Sequence, residues 1–319
     1  MAAPALTLRS PGEIAAVVPY LTGFVPHESL VAIGLRKRRV GLTMRIDLAD
    51  LQSSIGEVVS AMRKDRATAC LLVVLTALPS SDGLPMAACV ELLERRLGAR
   101  GIEVSEALLV RAGRWFSYRC MRACCPAAGA PVEAASPSVV ATYAYDGRVV
   151  LASREELVES VTPQLPLGPA IAQRLQEAAL AELDDRGDPV GELARWAAAL
   201  DAWEQRPTTL PPADVAALAV GLHLVSVRDA VASWGLRRHD ALLGLLGQLC
   251  RAVVPPDDAP LCSVLAWVAY SQGNGALARV ALERALATDP SYSLAQLLQA
   301  ALAGMLPPGK VREVMRRAG

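Results

Sequence analysis

Two textures of apolar spacing divide this chain. In the first, short apolar runs alternate with helical stripes. Ser10-Pro11-Gly12-Glu13 has the spacing of a capping box with proline at the first helical position. Ile14, Val17, Val18 and Leu21 then recur at helical intervals until Gly23. Residues 30–35 are an unbroken apolar run, the pattern of a strand covered on both faces. After the basic turn Arg36-Lys37-Arg38-Arg39, residues Val40, Leu42, Met44, Ile46 and Leu48 alternate with Gly41, Thr43, Arg45 and Asp47. That alternation predicts a half-exposed strand, antiparallel to the first. Ser54-Ile55-Gly56-Glu57 repeats the capping spacing, and Ile55, Val58, Val59 and Met62 give its helix an apolar stripe. Residues 69–76 read as a second buried strand, and Met86, Val90, Leu93 and Leu97 as a helix closed by Gly98. Two further strands, 107–111 and 114–119, flank Ala112-Gly113, a two-residue hairpin turn.

The second texture is all helical. Residues 126–137 form a small-residue loop, and 138–145 and 155–161 read as short helices. Residues 162–169 carry three prolines between the two textures, which places the expected boundary there: an α/β mixed-sheet domain over 1–163 and an all-α domain over 164–319. Beyond it, Ala/Leu helices are broken at 187–189, 207–212, 255–260 and 273–275. Ala278, Leu282, Ala285 and Pro290 have the spacing of the second helix of a tetratricopeptide unit. This predicts a tetratricopeptide-like antiparallel helix pair near 259–303. The first helix fits less well, because Trp267 and Tyr270 fall off register.

Composition narrows the function classes. Hydrophobic residues make up 53% of the chain and aromatic residues 4%, so the core is built from Ala, Leu and Val. Net charge is zero, with 18 basic and 16 acidic residues up to position 160 and 14 and 16 after it. Neither part is a basic body that would hold a phosphate backbone, so no nucleic-acid partner is expected. The start lacks a signal-peptide pattern, and the most apolar stretch, 215–227, is too short to span a bilayer. The expectation is a cytoplasmic protein with reduced thiols and no membrane partner.

Candidate chemistry gathers in residues 113–129, which hold Trp115, Phe116, Tyr118, Cys120, Cys124 and Cys125. Zinc sites take four Cys or His ligands, usually in chelating pairs. Cys124 and Cys125 are adjacent, and His27, His223 and His239 are distant in sequence, so no metal is expected. The three cysteines are candidate structural thiols, with a redox pair of Cys120 and Cys124 as the second reading. Cys70, Cys89, Cys250 and Cys262 sit in apolar patterns and read as core, as does His223. On a regular strand, Arg114, Phe116 and Tyr118 share one face and Trp115 takes the other. These four, with Asp47 at a strand end, are the candidate ligand contacts. Phosphate-loop, dinucleotide and nucleophile-elbow motifs are absent, and no cofactor is expected.

The order of these pieces resembles an actinobacterial family catalogued as a domain of unknown function, number 4192. The resemblance is carried by residues 11–35, Arg45-Ile46-Asp47-Leu48, 113–129, Ser153-Arg154-Glu155-Glu156-Leu157, 266–275 and 283–290. It implies no activity and no functional residue. Together these readings favour a protein-interaction or regulatory scaffold. The alternative is an enzyme or ligand-binding α/β domain with its site near the strand ends and the 113–129 hairpin.

Overall fold

The computed structural model describes residues 10–37, 39–79, 83–120, 125–135, 150–304 and 306–318. The chain separates into two compact units, Met1–Arg154 and Glu155–Gly319.

The first unit is a mixed six-stranded sheet with helices on both faces. Helix α1 (Pro11–Thr22) starts as its sequence predicts: Ser10 Oγ accepts from Glu13 N at 3.1 Å, and Gly23 closes it in the left-handed region at φ 83°. Strands β1 (Ser29–Arg36), β2 (Arg39–Asp47), β3 (Ala69–Leu75), β4 (Glu103–Arg111), β5 (Arg114–Ser117) and β6 (Ala130–Pro131) are ordered β2-β1-β3-β4-β5-β6. Among these described strands the β3–β4 pair is parallel and the other pairs are antiparallel, and α3 (Ala87–Gly98) makes the parallel crossover. Helix α2 (Leu51–Lys64) and α3 cover one face, burying Leu30, Ala32, Leu72 and Leu109 against Val58 and Leu93. Helix α1 covers the other, where Val31, Ile33, Val73 and Leu108 meet Ile14 and Val18. Burial on both faces explains why β1 and β3 are continuous apolar runs. The hairpin at Ala112-Gly113 has φ of 48° and 71°, as a two-residue turn with two left-handed positions requires.

Three boundaries differ from the sequence reading. Helix α2 begins at Leu51, with Asp50 rather than Ser54 in the cap position, so the second capping box lies inside the helix. Tertiary packing of Leu51, which is fully buried, outweighs the local signal. Strand β4 begins at Glu103, because its parallel register with β3 runs from Ala69↔Glu103. The small-residue loop contains β6, which pairs with β5 through Trp115↔Ala130. The expected helix at 138–145 lies outside the described residues.

The described part of the second unit is helical: α4 (Arg154–Glu159, entering from the first unit), α5 (Pro169–Arg186), α6 (Pro189–Gln205), α7 (Pro212–Gly221), α8 (Val225–Trp234), α9 (His239–Ala252), α10 (Asp258–Ser271), α11 (Gly275–Thr288), α12 (Ser293–Ala303) and α13 (Pro308–Ala318). The proline-rich segment 162–169 belongs to this unit. Helix α10 is apolar around its whole circumference and packs against α7, α8, α9, α11, α12 and α13. Residues 272–274 link it to α11, whose Ala278, Ala281 and Ala285 are fully buried. Among the described residues no single helix is long and apolar enough to cross a membrane. The apolar stretch 215–227 is divided between α7 and α8, which meet at 104°.

Candidate functional site

Residues 114–118 place their aromatic side chains as a regular strand would. Phe116 and Tyr118 pack toward the α2/α3 core, and Trp115 packs toward α1. The polar groups beside them hold loops. Arg114 donates to Ala128 O at 2.8 Å and Gly129 O at 2.6 Å. Tyr118 donates to Pro85 O at 2.5 Å, and burial pushes its hydroxyl pKa far up. The Arg111 guanidinium stacks on Phe116 at 5.2 Å. Gly129 lies against the same ring so closely that a Cβ would sit 2.7 Å from it. The chain's own backbone and Arg111 therefore occupy the Phe116 surroundings.

Asp47 lies at the same end of the sheet but on β2, four strand positions from β5, or roughly 19 Å at about 4.8 Å per strand. It pairs with Arg45 at 2.6 Å, and Arg45 in turn stacks on Phe24 at 5.7 Å. Between these places stands Glu28. Its carboxylate accepts from Thr76 Oγ1 and Ala77 N, both at 2.7 Å, tying the chain after β3 to the start of β1. Cys120 and Cys125 are both half-buried, and Cys125 packs toward α1. Cys124 lies outside the described residues, as does Asp82. No group of three or more His, Cys, Asp or Glu that could hold a metal occurs among the described residues.

The helical unit contains a concavity of a different character. A cavity of about 240 Å³ lies among α5, α7, α9 and segment 164–168. Ile171 and Leu175 of α5, Leu210, Val215 of α7, and Leu165 and Leu167 give it apolar walls. Leu167 and Ile171 remain 55% and 39% exposed, so apolar surface continues to the outside. Five polar side chains join the wall: Gln164, Gln176, Thr209, Gln248 and Arg251.

Gln176 is held rigidly. Its Nε2 donates to Val254 O at 2.9 Å and Asp257 Oδ2 at 2.5 Å, and its Oε1 accepts from Val254 N at 2.9 Å. Behind it, His223 Nε2 lies 2.7 Å from Asp257 Oδ1. Burial raises the pKa of the Asp257 carboxyl, but the bonds from His223 and Gln176 outweigh it and hold the carboxyl below its ordinary value. His223 is thus half-exposed and paired, rather than a core histidine.

Gln248 differs from Gln176. It is 9% exposed, and its Oε1 is buried without a hydrogen-bond partner. Arg251, one turn further along α9, donates from Nη1 to Ser160 O at 3.2 Å. Sequence reasoning passed over these residues. The available signal was Gln248 falling three residues after Leu245, on the buried stripe of α9, where a polar side chain needs a reason.

Nearby, Arg284 of α11 binds the end of α9. It donates to Cys250 O at 2.5 Å, to Val253 O at 2.8 Å and to Val161 O, and pairs with the buried Asp258 at 2.9 Å. Cys250 and Cys262 are fully buried, with their sulfurs 3.7 Å apart. The Cys262 pKa is pushed well up by its hydrogen bond with Cys250 and by burial.

Fold and site together define a two-unit protein, a mixed-sheet α/β unit and a helical unit that encloses a largely apolar cavity. The chain belongs to the family described as Domain of unknown function (DUF4192), whose profile matches residues 11–309. No curated protein and no solved structure matches it.

Proposed function

We propose that this is a cytoplasmic regulatory binding protein, and that its helical unit takes up a small, mainly apolar molecule in the α5/α7/α9 cavity. The observation that carries the reading is a cavity of about 240 Å³ with largely apolar walls that continue to the exposed Leu167 and Ile171. Binding is favoured over catalysis by the character of the wall. Its polar members are three glutamines, a threonine and an arginine, and among the described residues no carboxylate, histidine or cysteine lines it. Among the described residues His223 bonds Asp257, and no hydroxyl or thiol.

A tetratricopeptide-like scaffold would need an open concave face along successive helix pairs. Enclosure of α10 by six other helices favours a small molecule over a peptide as the recognised partner. In this reading the tetratricopeptide-like α10/α11 pair is the packed frame of the cavity unit. A protein partner that senses occupancy completes the regulatory role.

Thermal unfolding with indole tests the reading. A ligand at one hundred times its Kd stabilises the native state by about 2.7 kcal/mol. The midpoint should rise with indole in the wild type and stay fixed in Ala172→Phe, which puts a phenyl group into the cavity. No shift in the wild type, or an equal shift in Ala172→Phe, contradicts the proposal.

A further inference from the structure

Charge is unevenly placed on the α/β unit. We propose that one end of its sheet, formed by the β1–β2 turn and the C-terminal end of α2, binds the phosphate backbone of a nucleic-acid duplex without reading its sequence. The inference stands apart from the cavity reading, which concerns the other unit. Strands β2, β1 and β3 are neighbours in the sheet, and Leu35 of β1 pairs with both Val40 of β2 and Ala69 of β3. The β1–β2 turn therefore meets the α2 end, which leads into β3. Six exposed cations gather there: Arg36, Lys37, Arg39, Arg63, Lys64 and Arg66. The near-zero charge of the whole unit hides this polarity, and the expectation of no nucleic-acid partner rests on that average.

The carboxylate among them, Asp65, is buried and fixes the patch. It accepts from Leu42 N at 2.9 Å and lies 3.8 Å from Arg36 Nε, which ties β2 to the α2 end. Gly41 makes room for it, since a Cβ there would sit 2.4 Å from Asp65 Oδ2. The α2 dipole offsets about half a charge, and Glu57 stands about two turns back along the helix. Toward α3 the excess ends. Arg95, Arg96 and Arg100 are joined there by Glu91 and Glu103, and Arg119 pairs with Glu94 beside Glu106. Charge density selects the partner. From β2 to β3 is roughly 10 Å at about 4.8 Å per strand. A duplex carries one charge per about 1.7 Å, hence about six over that length, and a single strand carries half as many. Four of the six cations are arginines, whose guanidinium forks match phosphate oxygens. Residues 36–39 and 63–66 contain no aromatic side chain on which unpaired bases could stack. The exposed large apolar residue beside them is Val40, short of the inserted apolar body that a lipid surface needs in addition to charge.

Fluorescence anisotropy of the full chain with a labelled random-sequence DNA duplex of about 20 base pairs tests this, since such a duplex presents the regular backbone of two full turns. Arg36 is shared with Asp65, so about five phosphates should be neutralised, and log K should fall with log salt at a slope of about −4 to −5. Binding should then weaken about 250- to 1,000-fold between about 50 and 200 mM salt. Arg39→Gln and Arg63→Gln, both at exposed positions, should each reduce the slope by about one. Arg279→Gln, which removes an exposed cation from α11 of the helical unit, should leave the slope unchanged. The single strand of the same length and vesicles of mixed phosphatidylserine and phosphatidylcholine should bind more weakly than the duplex. No duplex binding at about 50 mM salt, or a slope that neither arginine variant changes, overturns the proposal. An equal effect of Arg279→Gln removes the patch as the site. Tighter binding of the vesicles or of the single strand overturns the duplex as its partner. These comparisons on the wild type decide the partner even if a variant does not fold.

Discussion

Replacing Gln248 by leucine should make the protein more stable. The side chain is about nine-tenths buried, and Oε1 has no partner. An orphaned buried amide costs about 1–3 kcal/mol. Leucine is close in size, removes that cost and adds apolar contact with Leu245 and Leu249 on the same stripe. Shape mismatch returns less than about 1.5 kcal/mol, so the net expectation is about 1–2 kcal/mol of added stability. The helical unit spans Glu155–Gly319, a size at which 1 kcal/mol moves the midpoint by about 2–4 °C. The expected rise is therefore about 2–8 °C. Tryptophan fluorescence reads it, since Trp196, Trp203, Trp234 and Trp267 are in this unit and Trp115 alone is in the first. Gln248→Glu should do the opposite, because a carboxylate there loses its hydration. A midpoint that falls or stays fixed in Gln248→Leu refutes the argument. It would mean that the amide oxygen is satisfied in the native protein.

Other consequences are equally accessible. Arg284→Met leaves Asp258 buried without its cation and should cost about 3–5 kcal/mol; the double variant with Asp258→Asn should recover a large part, measured as a coupling energy in urea unfolding. The Asp257 carboxyl is held below its ordinary pKa, so its contribution is fully present above about pH 4 and is lost as pH falls through the lowered value. Asp257→Asn should flatten the acid limb of the stability–pH curve, and an unchanged limb would show that the His223–Asp257–Gln176 network adds nothing. Ala285 is fully buried in the α10/α11 hairpin, and Ala285→Leu should destabilise by about 1–3 kcal/mol, read in the same urea titration. Cys250 and Cys262 should resist thiol reagents in the native protein and react only on unfolding, since burial shields both from reagent and, with the Cys250 bond, disfavours the Cys262 thiolate; rapid labelling without unfolding would contradict this.

Much of the fold could be read from spacing, and the reasons are local. The α1 cap, the runs of β1 and β3 and the 112–113 turn each rest on a few consecutive residues whose chemistry admits one geometry. The failures have longer-range causes. Helix α2 starts where Leu51 enters the core, and Ser54, a plausible cap, is overridden. Strand β4 extends back to Glu103 because β3 supplies a partner. The cavity was not legible, because it is assembled from segments near 165, 172, 212 and 250 that only tertiary packing brings together. Its key polar residues look like ordinary surface glutamines in alanine-rich helices. The faces taken by Trp115, Phe116 and Tyr118 were legible from strand alternation. Their link to Asp47 was not, since strand order puts three strands between them.

The central claim, uptake of a small molecule in the helical unit, can be followed at one atom. The chain has six isoleucines, and Ile171 is the single one beyond Arg154; Ile14, Ile33, Ile46, Ile55 and Ile102 lie in the α/β unit. Methyl NMR of isoleucine-labelled protein titrated with indole therefore carries one reporter in the cavity wall and five internal controls. The account predicts a saturable shift of the Ile171 δ1 methyl with the other five unmoved. A titration that leaves Ile171 in place, or that moves the α/β isoleucines instead, would contradict it.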